Sequence, residues 1–283
     1  MLEQEKIEEW HLQEWWDRVD KVEDEVIKIV RTKRVEMNID RMFITNYGKL
    51  VLSIREILTL LKNGYPDGAL SIARTVYEIM ILTKFIYQKY EEDNDTDLIE
   101  RYFADHNVKV YKHYLNYYKR LYKNTLDGIK IENSVDDLKT KIGCKVDEYE
   151  TKLKELREKY KKIDIQYWWA SKEFKGRVNF QVIDNSTNDE CVLRMLYERA
   201  CVGIHASALG TYALLGRENE FGNIIYTTPT DSGFEAPLLL GMVSHDMFVE
   251  MLCKYFEAKS EIILSNSSDL DVYELYNEYV GRI

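Results

Sequence analysis

The chain has 283 residues, and 39 Lys and Arg against 49 Asp and Glu give it a net charge of -10. That balance excludes a protein that coats duplex nucleic acid over its whole surface, while leaving room for a local basic groove. A hydrophobic content of 45% and an aromatic content of 12%, with 21 Tyr, argue against disorder because this much ring surface can bury a core.

Only three prolines occur, Pro66, Pro229 and Pro237, and the Pro-free stretch between the first two favours long helices. The expected fold is all-α: a single large helical-bundle domain over 1–283, with a long N-terminal helix and a charged peripheral helical hairpin. The N-terminal segment, 1–38, holds a helix over about 4–34. Its Trp15, Val19, Val22, Val26 and Ile29 fall at alternating steps of four and three on one stripe. Such a stripe suits docking on the domain core, or a short coiled-coil seam with a second copy and hence a dimer contact.

The core helices are expected within 40–95 and 188–258. A helix over about 40–63 turns Ile44, Tyr47, Leu50, Val51, Ile54, Ile57, Leu58 and Leu61 inward. Asn63 to Gly68 is a turn, since Gly stops a helix and Pro suits the first turn of the next. The helix over 67–91 is apolar on several faces and is expected to be central.

The peripheral hairpin, 96–162, consists of a Tyr- and Lys-rich helix and a strongly charged one. Lys109, Lys112, Lys119, Arg120 and Lys123 form the clearest basic face, interleaved with Tyr111, Tyr114, Tyr118 and Tyr122. Cations among rings suit single-stranded nucleic acid, where bases stack and phosphates meet Lys. The plainer reading is a solvated face whose tyrosines are half-buried by helix packing. A connector over 163–187 carries Tyr167-Trp168-Trp169. A helix over about 188–215 has an unusually small C-terminal half, and the 217–237 loop is long enough to be functional. Helices over about 238–258 and 268–281 close the chain. No internal repeat and no domain boundary is visible.

The start of the sequence is acidic and polar, unlike a secretory signal. The longest run free of Asp, Glu, Lys and Arg in the second half, Ala200 to Gly216, is shorter than the ~20 residues of a spanning helix. Cys144, Cys191, Cys201 and Cys253 are widely spaced, without a paired Cys-x-x-Cys. A cytoplasmic protein without membrane contact, zinc site or disulfide framework is expected.

Two clusters carry candidate chemistry. Arg74 and Glu78 sit one turn apart in the most apolar helix, either as an internal ion pair or with one group facing a polar pocket. On the helix before His205, Arg194, Glu198, Cys201 and His205 fall in a band roughly 60° wide. Arg199 lies roughly 120° from His205, so one straight helix cannot aim both at one atom; an irregularity near Gly203 or a second chain has to bring them together. A Cys201–His205 thiolate pair lacks an oxyanion donor and a third group, so a cysteine nucleophile is disfavoured. No spacing completes a metal site, and no Gly-rich phosphate loop is present. His245-Asp246 could join the main column, although Ser244-His245-Asp246 reads as a helix cap and first turn.

Three stretches together resemble a bacterial all-helical family of unknown function: Gly68 to Glu78 with its Arg74-x-x-x-Glu78, Tyr167-Trp168-Trp169-Ala170-Ser171, and Tyr197-Glu198-Arg199 through His205-Ala206-Ser207. The likeness covers about 45–215 and implies architecture more than activity. More loosely, Arg199-Ala-Cys-Val-Gly-Ile-His205 is similar to the Arg-x4–6-His motif of HEPN ribonucleases, which are common in toxin–antitoxin and phage-defence systems. That resemblance implies a cytoplasmic, cofactor-free and metal-independent homodimer cleaving single-stranded RNA. In it His205 moves protons, Arg199 steadies the charged phosphorane, and Glu198 or Arg194 supports them. Ala200 departs from the pattern, which has a polar residue after the Arg. The competing expectation is a non-enzymatic module whose polar residues hold a nucleotide or a protein partner. A third reading joins Arg74, Glu78 and His205 in one buried network.

Overall fold

Trp15, Val19, Val22 and Val26 are at most 3% exposed, so the N-terminal stripe is consumed by its own chain. The computed structural model describes residues 11–33, 35–128, 134–188, 191–204, 215–219, 222–225, 233–265 and 276–277. Helix α1 (Leu12–Thr32) lays that stripe against α2 (Asn38–Lys62). The stripe is therefore a docking face, and it is not available as a coiled-coil seam between copies.

The chain divides into two compact units, residues 1–87 with 184–283, and residues 88–183. In the first, Asp40 starts α2 by accepting the backbone N–H of Met37 at 2.7 Å and of Glu36 at 3.0 Å. The same carboxylate accepts the Tyr255 hydroxyl at 2.6 Å, which ties the start of α2 to the end of α8 (Glu235–Tyr255). On α2, Tyr47, Leu50, Val51, Ile54, Ile57, Leu58 and Leu61 are buried as the spacing predicts, whereas Ile44 is half-buried. Phe43 is instead fully buried against the rings of Tyr87, Phe248 and Tyr255.

Helix α3 (Pro66–Asp93) buries Ala69, Ala73, Val76, Tyr77 and Met80 but leaves Ile72, Ile79 and Leu82 half-exposed. The more completely enclosed helix is α8, which packs on α2 so closely that a Cβ on Gly241 would stand 3.0 Å from Ile57 Cδ1. It is long and apolar enough to cross a membrane, and it lies buried within this unit. It begins three residues before the expected 238, because Pro237 falls in a first turn whose N–H groups have no helical partner. His245 and Asp246 are consequently mid-helix and 0% and 1% exposed, which corrects the cap reading.

Helix α7 (Cys191–Ile204) does not extend to 215 as expected, since Leu215–Asn219 is strand β1. It pairs antiparallel with β2 (Gly222–Ile225) in the register Leu215↔Ile225 and Asn219↔Gly222, within the stretch expected to be a loop. Adjacent Ile224 and Ile225 suit a strand, and Gly216 disfavours helix there. A short helix, α9 (Ser260–Ser265), follows α8. Beyond this hairpin the described residues form an all-α protein. Of the helix expected over 268–281, residues 276–277 are described and helical.

In the second unit, α4 (Thr96–Gly128) packs along α5 (Ser134–Tyr160). The expected connector is built into that unit's core. Trp168 and Trp169 lie in a 3-10 turn and are 3% and 2% exposed. Trp168 Nε1 donates to Asp105 at 2.7 Å. Arg101, 3% exposed, donates to the Trp169 carbonyl, to Asp97 at 3.0 Å and to Glu173 at 2.9 Å. A buried guanidinium is tolerable only with such partners. The end of the connector forms helix α6 (Phe180–Thr187), whose last four residues belong to the first unit.

Candidate functional site

Helix α7 sorts its side chains into three faces. Leu193, Leu196 and Ala200, at steps of three and four, are buried. Arg194, Tyr197 and Cys201 share the same spacing on an adjoining flank and are half-buried. Glu198 and Arg199 point outward and are exposed.

The half-buried flank meets polar groups of α3 and α6. Arg74 Nε donates to Glu78 Oε1 at 2.9 Å, and the Tyr197 hydroxyl donates to the same oxygen at 3.0 Å. The Arg74 guanidinium lies over the Tyr197 ring, 5.7 Å from its centroid. One turn of α7 earlier, Arg194 Nε donates to Asp184 Oδ2 at 3.0 Å, and its Nη2 donates to the Asn188 carbonyl at 2.6 Å. The Tyr77 hydroxyl donates to Asp184 Oδ1 at 2.7 Å and accepts from Asn188 Nδ2 at 3.1 Å. Tyr77 and Tyr197 bring their rings to 5.2 Å, joining the two networks.

Electrostatics follow this geometry. Burial and the neighbouring Glu78 push the Tyr197 phenol well above the usual tyrosine range, so it stays a donor at all physiological pH. Burial and the Asp184 carboxylate do the same to Tyr77. Burial works against the charge on Arg74 and on Arg194, but Glu78 with Tyr197 and Cys201 around the first, and Asp184 with Tyr77 and Cys191 around the second, together outweigh it and hold both guanidinium groups more firmly cationic. The Arg74–Glu78 pair is not sealed, since its side chains are 27% and 26% exposed. It lines a polar surface where a ligand can reach both groups.

Of the residues the sequence singled out, Arg74, Glu78, Arg194 and Cys201 therefore belong to one polar flank. Glu198 faces solvent beside it. Arg199 stands roughly 160° around the helix from Tyr197, and makes no ion pair among the described residues. His205 lies outside the described residues. Tyr77, Asp184, Asn188 and Tyr197 were not expected at the site. Tyr197 carried the one local signal, a position four residues before Cys201 on the same face. Asp184 and Asn188 had none: Asp184 fell in the expected connector, and Asn188 at the first position of the helix expected after it.

His245 does not join this flank. Its Nδ1 lies 3.0 Å from Asp246 Oδ1, and its Nε2 is buried without a hydrogen-bond partner among the described residues. Among the described residues no group of three His, Cys, Asp or Glu is placed to hold a metal ion.

In the second unit the basic face is divided. Lys109 pairs with Asp105 at 2.6 Å, Lys112 with Asp164 at 2.9 Å, and Lys119 with Glu150 at 2.6 Å. Tyr149 stacks between Tyr114 and Tyr118 at 5.5 and 5.9 Å, with Tyr111 alongside at 5.9 Å. Arg120 and Lys123 remain exposed, without an ion pair among the described residues.

A family model described only as a family of unknown function matches residues 40–223, a span running from the third residue of α2 through α7 and holding the whole polar flank. No curated protein and no solved structure matches the chain.

Proposed function

The chain belongs to that family, DUF5677, and for it we propose a metal-independent ribonuclease of HEPN type acting on single-stranded RNA, with Arg199 and His205 carrying the chemistry. The observation that supports this reading is the contrast among the arginines of α3 and α7. Arg74 and Arg194 are each bound to a carboxylate, while Arg199 is exposed and uncommitted among the described residues. A guanidinium without a carboxylate partner is the one able to accept a phosphate in bidentate fashion.

In the reaction, the ribose 2′-oxygen forms a bond to phosphorus as the bond to the 5′-oxygen breaks. His205 takes the 2′-proton and returns one to the leaving oxygen, and Arg199 neutralises the charge that builds on the phosphorane. On a straight helix Arg199 and His205 diverge by roughly 120°, so the active unit is a homodimer in which the two residues meet between copies. Cys201, Arg194 and Glu198 share a face with His205 by spacing and support it. A defence or toxin role suits such an activity.

The test is cleavage of a single-stranded RNA in EDTA. His205→Ala and Arg199→Ala each abolish cleavage and leave the thermal midpoint within a degree or two. Loss of folding in both, with no activity in the intact chain, contradicts the reading.

One observation favours a second reading, a non-enzymatic module that binds a nucleotide. Only the Nε of Arg74 is engaged by Glu78, and its planar group is braced on the Tyr197 ring, leaving the outer edge for an anion. Nucleotide binding that disappears in Arg74→Ala, in a chain that never cleaves RNA, would select this alternative.

A further inference from the structure

Between Asp105 and Asp127 the sequence has five Lys or Arg and no acid, in a chain whose net charge is -10. Packing then sorts this basic stretch of α4 into two sides. Tyr111, Tyr114 and Tyr118 are taken up by Tyr149 of α5. Lys109, Lys112 and Lys119 are neutralised by Asp105, Asp164 and Glu150.

What remains lies opposite those tyrosines, beside the paired Lys109 and Lys112. At 100° per residue, His113, Tyr117 and Arg120 share a band roughly 60° wide, and Lys123 follows roughly 60° further round. All four are exposed, and Tyr117 is 53% exposed, with its edge held by Tyr118 at 5.2 Å between ring centroids. A ring braced from behind and flanked by cations that have no ion pair among the described residues offers a stacking platform and two phosphate contacts together.

We propose that the His113–Tyr117–Arg120–Lys123 stripe binds single-stranded RNA, with a base stacked on Tyr117 and successive phosphates on Arg120 and Lys123. Charge complementarity selects a polyanion, and the exposed ring selects one that carries planar bases over an acidic peptide. The stripe is independent of the chemistry proposed at Arg199 and His205, because binding needs no cleavage.

The experiment uses the full chain and a fluorescent 2′-O-methyl oligouridylate of about 12 nucleotides, whose blocked 2′-oxygens prevent the proposed reaction. Anisotropy should report saturable binding at about 50 mM salt, weakening about sevenfold by about 200 mM, as two phosphate contacts on a single strand require. Arg120→Glu/Lys123→Glu should weaken binding at least about tenfold and flatten the salt dependence. Tyr117→Ala should weaken it at least about fivefold and leave that dependence unchanged. Lys49→Glu/Lys62→Glu, a matched charge change at exposed positions of α2 outside the stripe, should leave affinity within about twofold, since the assigned contacts belong to the stripe itself. The assignment is overturned by absence of binding at low salt, by equal weakening in the matched control, or by polyglutamate displacing the probe as well as unlabelled oligouridylate does. Circular dichroism of every variant separates these results from misfolding.

Discussion

Arg18 and Asp246, 228 positions apart in the chain, meet as a two-pronged ion pair at 2.9 and 2.6 Å. Their side chains are 3% and 2% exposed, and Asp246 Oδ1 also faces His245 Nδ1 at 3.0 Å. The contact fixes α1 to α8 from inside, where neither charge has water to turn to.

Removing one partner should therefore be far worse than removing both. Arg18→Ala leaves a buried carboxylate and should cost about 3–5 kcal/mol of unfolding free energy. Arg18→Met with Asp246→Leu should recover most of that loss, because no charge is stranded. Urea denaturation of the two variants and the parent measures the difference; equal losses would mean that the pair is solvated in solution.

The same pair sets an acid limit. Burial opposes the Asp246 charge, but the hydrogen bond from His245 and the charge of Arg18 outweigh it and hold the carboxyl below the usual range. A carboxylate depressed on folding contributes stability above its unfolded value of about 3.9, and the contribution disappears as pH falls through the lower folded value. Stability measured from pH 7 downward should accordingly decline as pH approaches about 4 and below. Asp246→Asn, though less stable throughout, should show a shallower decline over the same window.

The two networks of the polar flank should differ in what they hold. Tyr77→Phe removes a buried donor from Asp184 and should cost about 1–3 kcal/mol. Arg74→Ala removes one end of a partly exposed pair spaced four residues apart and should cost less than about 1 kcal/mol. Chemical denaturation decides between them. A loss at Arg74 as large as that at Tyr77 would place Arg74 in the structural core and remove it from the site.

These contrasts also mark what the sequence could convey. The stripes of α1 and α2 were legible because steps of three and four need only local spacing, and Val19, Val22, Leu50 and Ile54 are buried accordingly. The pairing of Arg74 with Glu78 was legible for the same reason. Asp246 was misread as a cap because its partner Arg18 lies at the other end of the chain, and no local pattern encodes a contact of that range. Asp184 was missed because a short helix within an aromatic connector gives too few turns for a periodic signal. The basic face was seen as one surface, yet acids decide which of its cations stay free, and two of the three, Asp164 and Glu150, lie on other elements.

The most direct measurement of the central claim mixes two inactive variants, Arg199→Ala and His205→Ala, and follows cleavage of single-stranded RNA in EDTA. If the two residues meet between copies, random re-pairing makes half of the dimers mixed and leaves one of their two sites whole, restoring about a quarter of parental activity. No recovery from variants that fold and exchange subunits would contradict a site shared in this way, and full activity in either variant alone would remove that residue from the chemistry.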